Sequence, residues 1–223
     1  MRKIFITGSS RGIGKEIAKS FLEDPSNFVI FHGSSKSIDY EDFFSGFPKE
    51  QKERSIYLGF DLSNLDDVKN CFELIPQDLD VFVNNAGVYS TPNRLEDILN
   101  INFVSPVLLS NWIYNLMKGR GGTIININSL AGIYPNFNES NYCATKFGLD
   151  GFFKSLQEKS GFDKIEIIQY YLGATKTDMT KHRQDHDLLI DPVEVAKIIK
   201  DDLSGESYSI VSRIIKRKKR RNY

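Results

Sequence analysis

Tyr142 and Lys146, in Tyr142-Cys143-Ala144-Thr145-Lys146, lie four residues apart. That spacing puts a phenol and an ammonium on one face of a helix. The ammonium stabilises the phenolate, so the pair predicts a tyrosine pKa below its free value of about 10. Such a tyrosine gives or takes a proton near neutral pH. A lone pair of this kind is more often surface decoration, so its weight depends on what accompanies it.

A second chemical signal opens the chain. Lys3-Ile4-Phe5-Ile6 reads as a strand and leads into Thr7-Gly8-Ser9-Ser10-Arg11-Gly12-Ile13-Gly14. Ile17, Ala18, Phe21 and Leu22 then recur at helical spacing. Strand, glycine turn and helix are the context of a nucleotide site. Glycines let backbone approach a pyrophosphate, and a helix N-terminus favours negative charge. The competing reading is a tight strand-to-helix turn with no ligand.

The elements that must position these residues alternate. Strands are predicted at 4–7, 28–31, 56–60, 81–84, 123–128, 165–171 and 208–211. Helical stretches are predicted at 14–23, 65–74, 94–101, 103–118, 141–159 and 192–202. Ser63-x-x-Asp66 reads as a helix N-cap with an acidic partner. The stretch 34–54 is polar and Phe-rich, with a poorly defined helix. The alternation implies a single-domain, doubly wound α/β fold, a Rossmann-like parallel sheet with helices on both faces. Ligands bind such sheets outside the carboxyl ends of the strands. Thr7-Gly8, His32-Gly33-Ser34, Asp61, Asn84, Ser129 and Gly173 all fall at that edge.

Taken in order, Thr7-Gly8-x-x-x-Gly12-x-Gly14, Asp61, Asn84-Asn85-Ala86-Gly87, Asn102, Ser129 and Tyr142 with Lys146 resemble the short-chain dehydrogenase/reductase family. The resemblance runs from Lys3 to about Met179. It implies that Asn102, Ser129, Tyr142 and Lys146 are catalytic. It implies that Asp61 accepts a hydrogen bond from adenine, with Leu62 beside it, and that Asn85, Ala86 and Gly87 lie near the cofactor. Gly173, Thr175 and Thr177 match a segment that holds nicotinamide, although Leu172 stands where proline is expected. Asn100 competes with Asn102, which the offset to the downstream apolar run favours.

Cofactor choice is argued from the residues as well. A carboxylate at the end of the second strand selects NAD. His32-Gly33-Ser34-Ser35-Lys36 has none before Asp39. Gly8, Ser10, Arg11, Gly12, Ile13 and Gly14 would hold the pyrophosphate side, and Arg11, Ser34 and Lys36 suit a 2′-phosphate. The expected cofactor is NADP(H), preferred over NAD(H). Tyr89, Ile133, Tyr134, Pro135, Phe137 and Asn138 are expected to line a substrate pocket. They do not choose between a sugar derivative, an acyl thioester and a small ketone.

Bulk properties set the remaining bounds. The chain has 223 residues, 40% hydrophobic, with 29 basic and 29 acidic side chains. That length suits one domain with a full core. Six adjacent basic residues, Lys216 to Arg221, hide a mildly acidic body that does not read as a nucleic-acid binder. The charge run divides the chain into a domain over 1–215 and a basic tail over 216–223. The tail is solvated, or it docks an anionic partner or membrane surface. Two cysteines make no disulfide framework, zinc spacing is absent, and no run approaches a membrane span. A cytoplasmic compartment is expected. The predicted activity is hydride transfer between the cofactor and a carbonyl or secondary alcohol, on a small or carrier-borne substrate. A non-catalytic cofactor-sensing scaffold acting through the tail is the alternative. Apolar side chains on helices 103–118 and 141–159 predict a homodimer, with a tetramer as second choice.

Overall fold

In the computed structural model the described residues are 1–89, 94–136, 139–204 and 211–217. Seven strands form one parallel sheet in the order β3-β2-β1-β4-β5-β6-β7. They are β1 Arg2–Ile6, β2 Asn27–Gly33, β3 Ser55–Gly59, β4 Val81–Asn84, β5 Gly122–Ser129, β6 Ile165–Leu172 and β7 Ser212–Ile215. The order reverses between β1 and β4, which opens a crevice at their carboxyl ends.

Among the described residues eight α-helices lie between the strands. They are α1 Gly12–Leu22, α2 Tyr40–Phe43, α3 Lys49–Lys52, α4 Leu65–Asn70, α5 Leu95–Leu99, α6 Ser105–Met117, α7 Ser140–Ser160 and α8 Pro192–Ser204. Alternation along β1 sends Ile4 and Ile6 to one face and Phe5 to the other. One face packs on Ile17 and Phe21 of α1 and Val195 and Ile199 of α8. The other packs on Val68, Leu109, Ile113, Leu149 and Phe153 of α4, α6 and α7. Across the buried middle of the sheet, Asn84 Nδ2 donates to Asn126 Oδ1 at 2.9 Å. Asn126 Nδ2 donates to Gln169 Oε1 at 3.1 Å.

Several sequence expectations shift. The cap of α4 is Asn64, whose side chain accepts from the amides of Asp66 and Asp67, and not Ser63. The two side chains are neighbours with the same capping chemistry, so pattern alone does not separate them. His32 and Gly33 belong to β2, one step short of the loop expected there. In 34–54 two four-residue helices, α2 and α3, stand where no clear helix was expected. Phe43, Phe44 and Phe47 of this stretch pack edge-on against Phe31 at 5.2–5.7 Å. The last strand is 212–215, so Arg213-Ile214-Ile215 pairs with β6. Of the strand expected at 208–211, residues 208–210 lie outside the described residues, as does the tail from 218 onward.

Candidate active site

Long α7 carries Tyr142 and Lys146 on one face, opposite the end of β5 that carries Ser129. Ser129 Oγ accepts the Ala131 N–H at 3.1 Å. A hydroxyl that accepts there keeps its own proton to give. Ser129 also hydrogen-bonds Tyr142. Lys146 Nζ lies 5.7 Å from the centroid of the Tyr142 ring. Burial pushes the Tyr142 phenol up to about 12, and the Ser129 bond only partly opposes it. Burial pushes Lys146 down to about 8. The expectation of a lowered tyrosine pKa is therefore corrected for the ligand-free protein. Loss of solvent dominates at Tyr142, and it disfavours the Lys146 ammonium as well. At neutral pH Tyr142 is a phenol, the form that donates a proton.

Asn102 is fully buried at a π-helical turn, 100–104, that enters α6. Pro106 has no N–H to return to the carbonyl four residues back, which is that of Asn102. The Asn102 amide clamps Val88: Oδ1 accepts its N–H and Nδ2 donates to its carbonyl, both at 2.8 Å. A Cβ built on Gly87 would stand 3.3 Å from Asn102 Oδ1 and 3.6 Å from Lys146 Nζ. Asn102 and Lys146 thus flank the same glycine. Asn100 instead donates to the Ser63 carbonyl at 2.9 Å.

A cleft of about 610 Å³ adjoins this cluster. Of the residues expected to hold the cofactor, Gly8, Ser10, Arg11, Gly12, Ile13, Ser34, Asp61, Leu62, Asn85, Ala86, Gly87 and Thr177 line it. Gly14 and Lys36 do not. Gly14 is a packing glycine, where a Cβ would lie 2.4 Å from the Gly8 carbonyl oxygen. Lys36 is drawn 2.9 Å from Asp67, at the start of α4. Gly8 and Gly12 hold φ of +63° and +57°, a region that disfavours a side chain. Asn85 Nδ2 donates to the carbonyls of Thr7 and Gly8 at 2.9 and 3.0 Å, tying β4 to the glycine turn.

Sequence reasoning missed the part played by His32. Its Nδ1 accepts the Gly8 N–H at 2.9 Å, which requires Nε2 to carry the proton it shares with the Phe60 carbonyl at 3.0 Å. Its backbone N–H donates to Ser9 Oγ, and its carbonyl accepts from the Ser9 N–H, both at 2.9 Å. One neutral imidazole therefore links the ends of β1, β2 and β3. Burial pushes its pKa down to about 4. The available signal was a histidine directly after the apolar run Phe28-Val29-Ile30-Phe31, where burial demands partners for both nitrogens.

The second cavity, about 430 Å³, is walled by Ser129, Tyr142, Lys146, Tyr89, Tyr134 and Pro135, with Gly173, Thr175 and Thr177 of the expected segment. Ile133 is not in the wall, and Phe137 and Asn138 lie outside the described residues. The Tyr89 ring stands 5.1 Å from that of Tyr142 and 6.3 Å from that of His182. Burial, then a hydrogen bond with Glu139, pushes Tyr89 up to about 12. Met179, His182 and Arg183, in the short connection before α8, close the wall. No sequence pattern had marked His182 or Arg183.

A parallel sheet with a glycine turn at its switch point and a Ser–Tyr–Lys cluster beside it defines a dinucleotide-dependent oxidoreductase. The family model for short chain dehydrogenase matches residues 2–188, and the chain belongs to that family. It is 34% identical over 189 residues to 3-oxoacyl-(acyl-carrier-protein) reductase FabG of Haemophilus influenzae, covering 79% of this chain and 75% of that protein. It is 31% identical over 195 residues to Nodulation protein G of a Rhizobium species, covering 82% and 77%. Among solved structures it superposes on an alcohol dehydrogenase from Thermococcus sibiricus complexed with 5-hydroxy-NADP. The TM-score is 0.84, with 20% identity and full coverage of both chains. A short chain dehydrogenase from Burkholderia cenocepacia in complex with NADP gives 0.80, with 24% identity and 96% of each chain. At those identities the structures speak to the fold.

The residues present fit a nicotinamide dinucleotide. Gly12, with its left-handed φ, begins α1, and the Arg11 side chain makes no capping bond there, so the helix opens its amides to the cleft. Arg11 stands in the cleft wall and Lys146 in the wall of the adjoining cavity, which gives cations toward both ends.

Proposed function

We propose that this chain is an NADP(H)-dependent reductase of a carbonyl group, or dehydrogenase of the matching secondary alcohol, with Tyr142 as general acid/base. One observation carries the reading: Ser129, Tyr142 and Lys146 share a cavity wall beside the dinucleotide cleft. When bound, the cofactor supplies the hydride. The chain supplies the rest. Ser129 gives a hydrogen bond to the carbonyl oxygen and polarises it. Tyr142 gives that oxygen its proton. Lys146 offsets the negative charge left on the Tyr142 oxygen and holds the cofactor ribose, and Asn102, which fixes the Val88 backbone, supports the proton relay through Lys146. The preference for NADP(H) is supported by Arg11 and by the absence of a carboxylate in His32–Lys36. The relatives' names favour an acyl thioester on a carrier over a free small ketone. Loss of NADPH absorbance with 3-oxoacyl thioesters, abolished by Tyr142→Phe, tests the reading. Turnover that survives the substitution would overturn it.

The same reading includes a cytoplasmic homodimer built on α6 and α7. Phe147 is exposed and Val104, Val107, Leu108, Trp112, Leu116 and Phe152 are half-buried, whereas Phe153 and Leu156 belong to the core. Sedimentation as a monomer at micromolar concentration would refute it.

A further inference from the structure

Building on the reductase reading, we propose that the substrate carries an oxyanion, a carboxylate or a phosphate, and that Arg183 holds it. Among the described residues no aspartate or glutamate lines the substrate cavity, and its charged side chains are Lys146 and Arg183. Arg183 is held by its fork. Nε and Nη2 donate to the two carboxylate oxygens of Asp185 at 2.9 and 3.1 Å. A bidentate grip fixes the guanidinium plane and leaves Nη1 outside the pair. Asp185 is not in the cavity wall, and it also faces Arg217 at 3.7 Å. Two guanidinium groups on one carboxylate leave one positive charge in excess. At Tyr89, whose ring lies 5.1 Å from the Tyr142 ring, Arg183 acts against the Glu139 carboxylate, which hydrogen-bonds Tyr89 from outside the cavity wall.

The plain alternative is a surface staple for the short connection before α8. An exposed ion pair stabilises little. A staple would serve equally with its two residues exchanged, yet the cavity receives the cation and the carboxylate stays outside. The anion has two possible sources with one chemistry: the carboxylate of a small oxo acid, or the phosphate of a carrier arm.

The test uses the full chain with NADPH and two matched substrate series. Short oxo acids are compared with their methyl esters, and 3-oxoacyl thioesters of phosphopantetheine with those of pantetheine. In at least one series kcat/KM should favour the charged member. Arg183→Gln should cut that ratio about tenfold, and Arg183→Lys should restore part of it. Dependence in the first series alone assigns a small oxo acid; dependence in the second alone assigns the carrier phosphate. Ratios that Arg183→Gln leaves unmoved in both series would overturn the proposal. If no carbonyl compound is turned over, the reductase reading falls separately. Calorimetry of the NADP⁺-loaded protein with an oxo acid and its amide then decides the anion site. Tighter binding of the acid that Arg183→Gln abolishes sustains it, and equal binding overturns it.

Discussion

The two ends of the dinucleotide cleft hold their polar side chains by different physics. At the adenosine end His32 is buried and makes four hydrogen bonds to Gly8, Ser9 and Phe60. Thr7 Oγ1 there accepts the amides of Asn85 and Ala86 at 3.0 and 3.1 Å. At the substrate end the connection before α8 is fastened by ion pairs, Lys176–Asp187, Lys181–Asp178 and Arg183–Asp185, all well exposed to solvent. A buried polar group left without its partner costs about 1–3 kcal/mol, whereas an exposed ion pair contributes about 0–1. The first end is built to be invariant in shape. The second rests on weaker contacts, which leaves it more room to vary its residues.

The largest effect is expected between the two ends, at the reacting centre. Tyr142→Phe should lower kcat by about 10²–10⁴ while NADPH affinity stays within about twofold, because the hydroxyl moves a proton and does not bind the dinucleotide. Lys146→Ala should lower both. The pH profile follows from Lys146, whose pKa is held at about 8 in the free protein. Its ammonium form is the one required, so kcat/KM for reduction should be level below that value and fall as pH rises through it. A profile that rises across pH 8 would contradict the role given to Lys146.

Next comes the adenosine end. Arg11→Ala should weaken NADPH about tenfold or more and NADH by about twofold or less, since a charge-assisted pair to the 2′-phosphate is lost from one ligand only. Calorimetric titration of both dinucleotides checks it, and equal losses would remove the NADP(H) preference.

The His32 hub predicts an effect on stability. Its folded pKa of about 4 lies below the unfolded value of 6.5, so the unfolded chain binds more protons between those limits. Stability from this group is fully present above pH 6.5 and is lost as pH falls through 4. The loss amounts to about 3 kcal/mol. His32→Leu should cost about 2–4 kcal/mol at neutral pH, by stranding the Gly8 amide and Phe60 carbonyl, and should flatten that acid slope. Urea unfolding at several pH values reads both. An unchanged slope would place the titration elsewhere.

The same contrast governs what could be read from the chain alone. Strands β1 to β6 were legible to within two residues at each end, because parallel strands covered on both faces read as apolar runs. The Tyr–Lys pair, Ser129, the glycine turn and Asn102 were legible because each is a local pattern. The edge strand β7 was not. Ser212-Arg213-Ile214-Ile215 has an exposed face and runs into the basic residues that follow, so the last strand was expected just before it, at 208–211. Helices α2 and α3, at four residues each, are too short to show a period. The role of His32 rests on its contacts to Gly8 and Phe60, and the one proposed for Arg183 on Asp185, which also faces Arg217. Several of these are far away in sequence, and no spacing rule carries them.

The smallest expected effect is at the outer edge of the substrate end. Arg217 donates to the Leu188 carbonyl at 3.2 Å and faces Asp185 at 3.7 Å, and its side chain is half exposed. Water competes for both contacts, salt screens the charge, and a long side chain gives up rotamer freedom to make them. Arg217→Gln should therefore lower unfolding stability by about 1 kcal/mol or less, and by less still at high salt. Measured beside His32→Leu in the same urea series, it should give the smaller shift by a factor of at least about two. Equal shifts would mean that the connection before α8 is held as firmly as the glycine turn. The division between a fixed cofactor end and an adjustable substrate end would then have to be abandoned.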